Sequence, residues 1–219
     1  MLRPIVYYTI TSPPSRSTLL TAAAIGLDLD IRNIDFMKGE HLTPEFLKMN
    51  PQHTVPTLND NGFTIWDSHV INTYLVGKYA KDDSLYPKDL NLRAKVDQCL
   101  YFENGSLFYG LSSIFIKPIL YKGNKEIAKD ELYLLDTAYK VLDKMLEGKK
   151  WLVGDSYTLA DISNVCTLIT LDIIKPADKY KNITRWVKRC EETLPGYAQW
   201  NKPGLEKIHK TMTSLISNL

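Results

Sequence analysis

The first third of the chain switches between two hydrophobic periods. Residues 5–9, Ile-Val-Tyr-Tyr-Thr, form a short apolar run that predicts a strand. Residues 15–25 carry a Thr-Ala-Ala-Ala tract, predict a helix, and stop at Gly26, a residue suited to a helix C-terminus. Residues 29–35 alternate apolar and polar positions at period two, the mark of a second strand. Thr43-Pro44-Glu45 sets an N-cap hydroxyl, a proline for the first helical position and an early acid in order, which opens a short helix. Thr57-Leu58-Asn59 and Phe63-Thr64-Ile65-Trp66 flank Asp60-Asn61-Gly62, a hairpin signal. Residues 68–79 then read as a helix with Val70, Ile71, Tyr74 and Leu75 on one face.

The order βαβ-α-ββα joins a parallel unit to an antiparallel hairpin, as in a thioredoxin-like α/β domain, here residues 1–80. Residues 81–90 are polar and read as a linker. Every later periodic segment is helical. Residues 92–117 form one amphipathic run ending at Pro118, and residues 125–146 form another. Thr158-Leu159-Ala160-Asp161 opens a third, the Thr capping the helix and the acid returning to the backbone as a capping-box variant. Its body, residues 162–174, is apolar almost all round, which predicts a buried central helix. Residues 183–193 and 205–215 complete an all-α domain, residues 91–219.

Composition narrows the partners. The 219 residues suffice for two modest domains, each with its own core. A net charge of +2 with scattered Lys and Arg argues against nucleic acid or an anionic membrane as partner. Three cysteines, with no Cys-x-x-Cys, argue against a disulfide framework or a zinc site and suit a reducing compartment. His69 and His209 stand alone, no His-x-x-x-His occurs, and no metal site is expected. Charge and proline come too early after Met1 for a signal peptide, and no apolar run approaches the roughly 18 residues of a membrane span. The chain reads as soluble and cytoplasmic.

Three segments carry candidate chemistry. Asn50-Pro51-Gln52-His53-Thr54-Val55-Pro56 ends a helix at one proline and enters a strand at the next, a place where Val55-Pro56 can be cis and turn the Val55 amide outward. Such an edge pairs with an extended peptide. Ser12-Pro13-Pro14-Ser15-Arg16 sets a hydroxyl where a strand meets a helix, and Asp67-Ser68 opens the helix after the hairpin. Together they describe a site for a small, anionic, peptide-like ligand beside one activating hydroxyl.

These segments, with Asp67-Ser68-His69-Val70-Ile71, Ser84-Leu85-Tyr86-Pro87-Lys88 and Thr158-Leu159-Ala160-Asp161, resemble those of the cytosolic glutathione S-transferases, specifically the insect epsilon class with the delta class as close relative. The resemblance spans both domains. It implies the glutathione S-transferase fold, a homodimer, glutathione as co-substrate with no metal, and detoxification by conjugation of hydrophobic electrophiles. Dehydrochlorination or peroxide reduction would be side reactions. Ser12 would be catalytic. A thiol of ordinary pKa, about 8.5, is mostly protonated at neutral pH. A hydroxyl that donates to the thiolate lowers that value, aided by the helix N-terminus. The competing reading is that Ser12 only caps the helix. Ser12 and Ser15 stand at Cys-x-x-Cys spacing, so the frame holds a thiol and cannot exchange a disulfide.

The same resemblance gives Asp67 and Ser68 the ammonium and carboxylate of the γ-glutamyl group, although the family more often has Glu where Asp67 stands. His41, Gln52 and His53 would meet the glycyl carboxylate, while Thr54, Val55 and Pro56 hold the peptide backbone. The electrophile pocket would be lined by Phe36, Leu107, Phe108, Leu111, Ser112, Phe115, Ile116, Leu120, Leu205, Ile208 and Met212. The arginine often found in related enzymes where Leu111-Ser112-Ser113 stands is missing, which leaves that pocket more neutral. Asp161 is assigned to folding. The alternative is a binding module of the same fold that sequesters hydrophobic ligands such as steroids or haem without turnover. A thiol isomerase or dehydroascorbate-type enzyme would need a cysteine near position 12.

Overall fold

Val6 and Leu58 face each other across paired strands and are both fully buried, which fixes the register of the sheet. The computed structural model to which they belong describes residues 3–127 and 129–216, with the backbone alone for residues 129–131. Strand β1 (Ile5–Tyr8) pairs in parallel with β2 (Asp30–Asn33) and antiparallel with β3 (Thr57–Asp60). Strand β3 pairs antiparallel with β4 (Phe63–Trp66), giving a four-stranded sheet in the order β2-β1-β3-β4. Asn61 and Gly62, at φ 53° and 94°, form the two-residue turn whose twist matches the flanking strands.

Three helices accompany the sheet, each with a side-chain N-cap. Ser12 caps α1 (Pro13–Ala24), Thr43 caps α2 (Pro44–Met49) and Asp67 caps α3 (Ser68–Tyr79). Leu19 and Ala22 of α1 and Ile71 and Leu75 of α3 close over Val6, Leu29 and Leu58. The buried face of α3 is Ile71, Asn72, Leu75 and Val76, whereas Val70, expected on that face, is 50% exposed. A polar residue takes its place: Asn72 accepts from Thr18 Oγ1 at 2.9 Å and donates to Ser17 Oγ at 3.2 Å, locking α3 to α1.

The hairpin is tied to α3 by one buried carboxylate. Asp60 Oδ2 accepts from Lys78 Nζ at 2.6 Å and from the Tyr74 and Tyr79 hydroxyls at 2.7 Å each. Burial alone would raise its pKa, but the bonds from Lys78, Tyr79, Tyr74 and Asn61 outweigh it and hold it at about 2, against an ordinary 3.8. The folded pKa is the lower one, so this stabilisation is complete above pH 4 or so and fades as pH falls towards 2. At about 1.4 kcal/mol per unit, it amounts to about 2 kcal/mol. Urea unfolding should therefore show less acid sensitivity between pH 5 and 2.5 in Asp60→Asn than in wild type, and an equal pH dependence would remove Asp60 from this role.

The segment 80–89 has neither helix nor strand, and the rest is helical. Helix α4 (Leu90–Phe102) runs on without a break into a wide, π-type stretch (Glu103–Phe108), a short α5 (Tyr109–Leu111) and a second wide stretch (Ser112–Tyr121). Pro118 was expected to end this helix, yet the chain passes through it to Tyr121. A widened turn bonds i to i+5, which accommodates a ring that lacks an N–H. Then come α6 (Lys129–Met145), α7 (Leu159–Leu171), α8 (Lys181–Thr193) and α9 (Tyr197–Leu215). Helix α9 begins well before the expected residue 205 and contains Pro203.

Helix α7 is buried on every side and is the hub of this domain. Its first turn is closed from both directions, because Thr158 Oγ1 accepts from Ala160 N at 3.2 Å and Asp161 Oδ2 accepts from Thr158 N at 3.0 Å. The fully buried Asp161 also accepts from Leu152 N at 2.9 Å and Trp186 Nε1 at 2.8 Å, joining α7 to the preceding loop and to α8. Leu20 of α1 and Val76 of α3 belong to this second core, so the two halves of the chain share an apolar seam. Among the described residues, no helix is long and apolar enough to cross a membrane.

Candidate active site

Tyr7, Thr57 and Trp66 lie in one row across β1, β3 and β4. Because β3 runs antiparallel to both neighbours, β1 and β4 run the same way and leave the sheet at this row. Strand β3 enters here. Ser12 after β1, Val55-Pro56 before β3 and Asp67-Ser68 after β4 therefore emerge at one end of the sheet. Strand β2 is parallel to β1, so the segment with Phe36 and His41 starts from the same end. Four segments spread from Ser12 to Ser68 thus converge by topology alone.

Ser12 is half-buried at the N-cap of α1, with its Oγ accepting from Ser15 N at 3.3 Å. The next two residues are prolines and bring no N–H. Ser12 N is used by Thr9 O at 3.1 Å and Arg16 N by Ser12 O at 3.0 Å. No backbone N–H of residues 12–16 is left over, so the hydroxyl is the donor this helix end presents. An oxygen that already accepts a bond is polarised towards donating its own proton. Capping and donation are thus compatible roles for one side chain. Ser15 Oγ, at the second position of the four-residue spacing, is buried without a partner.

Two of the three non-glycine residues at positive φ among the described residues belong to this end: His53 at 48° and Asp67 at 73°. Such conformations cost on the order of 1–3 kcal/mol each and tend to cluster where function requires them. Asp67 Oδ1 accepts from His69 N at 2.8 Å and Val70 N at 3.2 Å, which consumes one carboxylate oxygen in capping. Ser68 is almost buried at the first position of α3, with its backbone N–H at the positive end of the helix. Val55-Pro56 is cis, and among the described residues nothing hydrogen-bonds to the Val55 amide.

Gln52 and His53 are exposed beside it. Trp66 Nε1 donates to Gln52 Oε1 at 3.0 Å, so the Gln52 amide turns its NH2 donors away from the sheet. His41 stacks on Phe36, with ring centroids 4.3 Å apart, and its centroid is 5.9 Å from that of His53. Phe36, expected in an electrophile pocket, is thus also packed against His41. Burial first and His53 second lower the His41 pKa, so the ring is neutral at pH 7 and donates a single N–H. Its Nδ1 is buried without a partner among the described residues.

The second domain divides the remaining positions into two rows. Leu107, Leu111 and Phe115 point inward and are buried in the helical core, as are Ile208 and Met212 of α9. Phe108, Ser112 and Ile116 are half-buried and Leu120 is 45% exposed, each four residues from the last, forming a less buried row in which Phe108 and Ile116 still touch the core. Leu205 is half-buried against the core.

Sequence reasoning missed one group. His69, which looked isolated, has its Nε2 2.9 Å from Glu103 Oε2, and the other Glu103 oxygen accepts from Thr167 Oγ1. Burial disfavours the imidazolium, but the close Glu103 carboxylate, with a smaller contribution from Asp67, outweighs it and raises the His69 pKa. An acid at a position where the helical period calls for an apolar residue was the available signal. Among the described residues no cluster of three or more His, Cys, Asp or Glu could hold a metal.

Residues 3–77 match the N-terminal domain family of glutathione S-transferases and residues 100–193 the C-terminal domain family. The chain is similar to an epsilon-class glutathione S-transferase of the housefly, Musca domestica, at 38% identity over 99% of each chain with a TM-score of 0.94. A delta-class glutathione transferase of Nilaparvata lugens is 39% identical over 97% of this chain and 99% of that one, with a TM-score of 0.92. A glutathione transferase homologue from Drosophila mojavensis, solved with bound glutathione, is 40% identical over 99% of each chain with a TM-score of 0.93. Matched from end to end and in both domains, the chain belongs to the glutathione S-transferases, among those of the insect delta and epsilon type, and is a transferase.

Proposed function

We propose that the sheet end carrying Ser12, Val55 and Ser68 binds glutathione and that Ser12 stabilises its thiolate for attack on hydrophobic electrophiles. The observation that carries this reading is the Ser12 hydroxyl, polarised by Ser15 N and set where two prolines leave no competing amide. The Val55 amide is free to pair with the cysteinyl backbone, as an added strand would. Ser68 at the start of α3 takes the γ-glutamyl carboxylate, and the second oxygen of Asp67 faces the ammonium. Gln52, His53 and neutral His41 donate to the glycyl carboxylate. The thiol proton passes to solvent. The sulfur then forms the bond to carbon as the leaving group departs with its electron pair, with no covalent enzyme intermediate.

The electrophile would lie against the less buried row of Phe108, Ser112 and Ile116, an apolar surface with one hydroxyl. Elimination of halide or reduction of a peroxide would draw on the same thiolate. The domain boundary near residues 81–90 separates the two binding surfaces. Val70 and Tyr101, exposed apolar side chains on α3 and α4, support self-association into a homodimer. Three free, buried cysteines support a reducing, cytoplasmic setting.

Conjugation of glutathione to a small activated aryl halide, with glutathione affinity measured by calorimetry, is the test. Turnover with saturable binding is the expected result. Binding without turnover across several electrophiles would make the protein a sequestering module instead.

A further inference from the structure

We propose that the buried positive charge of Arg16 favours the thiolate of glutathione held at Ser12. The inference rests on the role given above to Ser12 and adds to it a second group, one that acts through space.

Arg16 is fully buried, yet it forms no ion pair among the described residues. Its Nη2 donates to two neutral oxygens, Cys166 O at 3.2 Å and Thr170 Oγ1. Its Nε and Nη1 have no partner among the described residues. A charge taken out of water without an opposite charge beside it is very costly to bury. The neighbouring titratable groups do not cancel it. Burial pushes the Cys166 thiol of α7 up to about 12 and raises the Tyr197 phenol of α9 as well, so both are neutral at pH 7. Glu103, the carboxylate whose charge reaches Cys166, is engaged by Thr167 and His69. An apolar side chain of the same length would join α1 to α7 equally well, so packing alone gives no reason for the charge.

The position of Arg16 supplies one. A helical side chain leans back over the turn that precedes its own Cα. For Arg16 that turn starts at Ser12, whose carbonyl accepts from the Arg16 amide at 3.0 Å. The lean shows at Gly204 of α9, where one added Cβ would lie 2.5 Å from Ile10 O and 2.8 Å from Arg16 Cδ. The arginine stem therefore runs beside the loop that leads from β1 into Ser12. Where burial excludes water, a unit charge about 10 Å from a thiolate favours it by roughly one pKa unit. Ser12 brings a hydrogen bond to the sulfur and Arg16 brings a field.

The test compares Arg16→Met, which keeps the length and removes the charge, with Thr170→Asp, which sets a carboxylate against an unchanged Arg16. Thr170→Asn, close to the aspartate in shape but uncharged, is the control. In these variants, Ser12→Ala and wild type, the bound glutathione thiol is titrated by its ultraviolet thiolate absorbance, with kcat and KM measured alongside. In Arg16→Met the thiol should titrate about one unit above wild type, and kcat at pH 6.5 should fall about tenfold. Thr170→Asp should move it upward by about half a unit to one unit, and Thr170→Asn by less than about 0.3 unit. KM for glutathione should stay within about threefold throughout, because the field acts on the sulfur and not on the carboxylates. Should Arg16→Met fail to fold, the Thr170 pair decides alone. Arg16→Met and Thr170→Asp that titrate within about 0.3 unit of wild type overturn the proposal, as does Thr170→Asn moving as far as Thr170→Asp. If only Ser12→Ala titrates higher, the Ser12 reading stands and this inference falls. A wild type whose bound thiol titrates at the free value of about 8.5 removes both.

Discussion

Ser12→Ala is expected to slow conjugation by about 10²-fold while leaving glutathione affinity within about threefold. Removal of a single donor to developing or resident negative charge typically costs 10²–10³, roughly 3–4 kcal/mol. The lower end applies here because the change also releases Ser15 N–H, which then points from the helix end without an acceptor and can replace part of the lost bond. Affinity is spread over the two carboxylates and the peptide backbone, none of which uses this hydroxyl. The pH profile separates the alternatives. Loss of thiolate stabilisation moves the acidic limb upward, towards the free thiol value of about 8.5. Loss of the cap alone costs about 1 kcal/mol of stability and moves no limb. A variant that turns over within a factor of three of wild type at pH 6.5 would assign Ser12 to capping.

Asp161→Ala should have the largest effect on stability. It leaves Leu152 N, Thr158 N and the Trp186 indole N–H buried without an acceptor. Each stranded donor costs on the order of 1–3 kcal/mol, so the three together cost at least about 3 kcal/mol. That is a large part of the total stability of an ordinary domain, about 5–15 kcal/mol. Thermal unfolding should fall by about 10 °C or more. The fraction that remains folded in the cold should keep its kcat, because the carboxylate faces the core and not the ligand. A melting point within about 3 °C of wild type would mean that these bonds are replaceable by water, contrary to their burial.

Much of the site can be read from the sequence because its chemistry is local. Ser12, Thr43 and Thr158 cap helices at the positions their spacing predicts, and Asn61-Gly62 makes the turn that two positive φ angles allow. Capping and turn geometry depend on neighbours within four residues, which is why they are legible. The failures are the contacts between distant segments. Val70 looked like a core residue because helical period locates a stripe but not its edge, and Asn72 took the buried place through bonds to Ser17 and Thr18 of α1. Pro118 looked like a terminator until wide turns carried the helix through it.

The sequence by itself determined the alternation of elements, the two-part organisation, and the polar residues that stand at the strand ends and helix starts. Tertiary structure alone decided how those residues meet. The antiparallel placement of β3 between β1 and β4 brings the entrances and exits of three strands to one end of the sheet, an arrangement that no local spacing encodes. It also decided which apolar residues of the second domain are fully buried and which only partly. Helical periodicity gives two rows, Leu107-Leu111-Phe115 and Phe108-Ser112-Ile116, and only the packing of α6 and α7 against the first row closes it to a ligand. The buried polar links from α7 to Arg16 and Glu103 join residues about 150 and 64 positions apart in the chain, which no local pattern can signal.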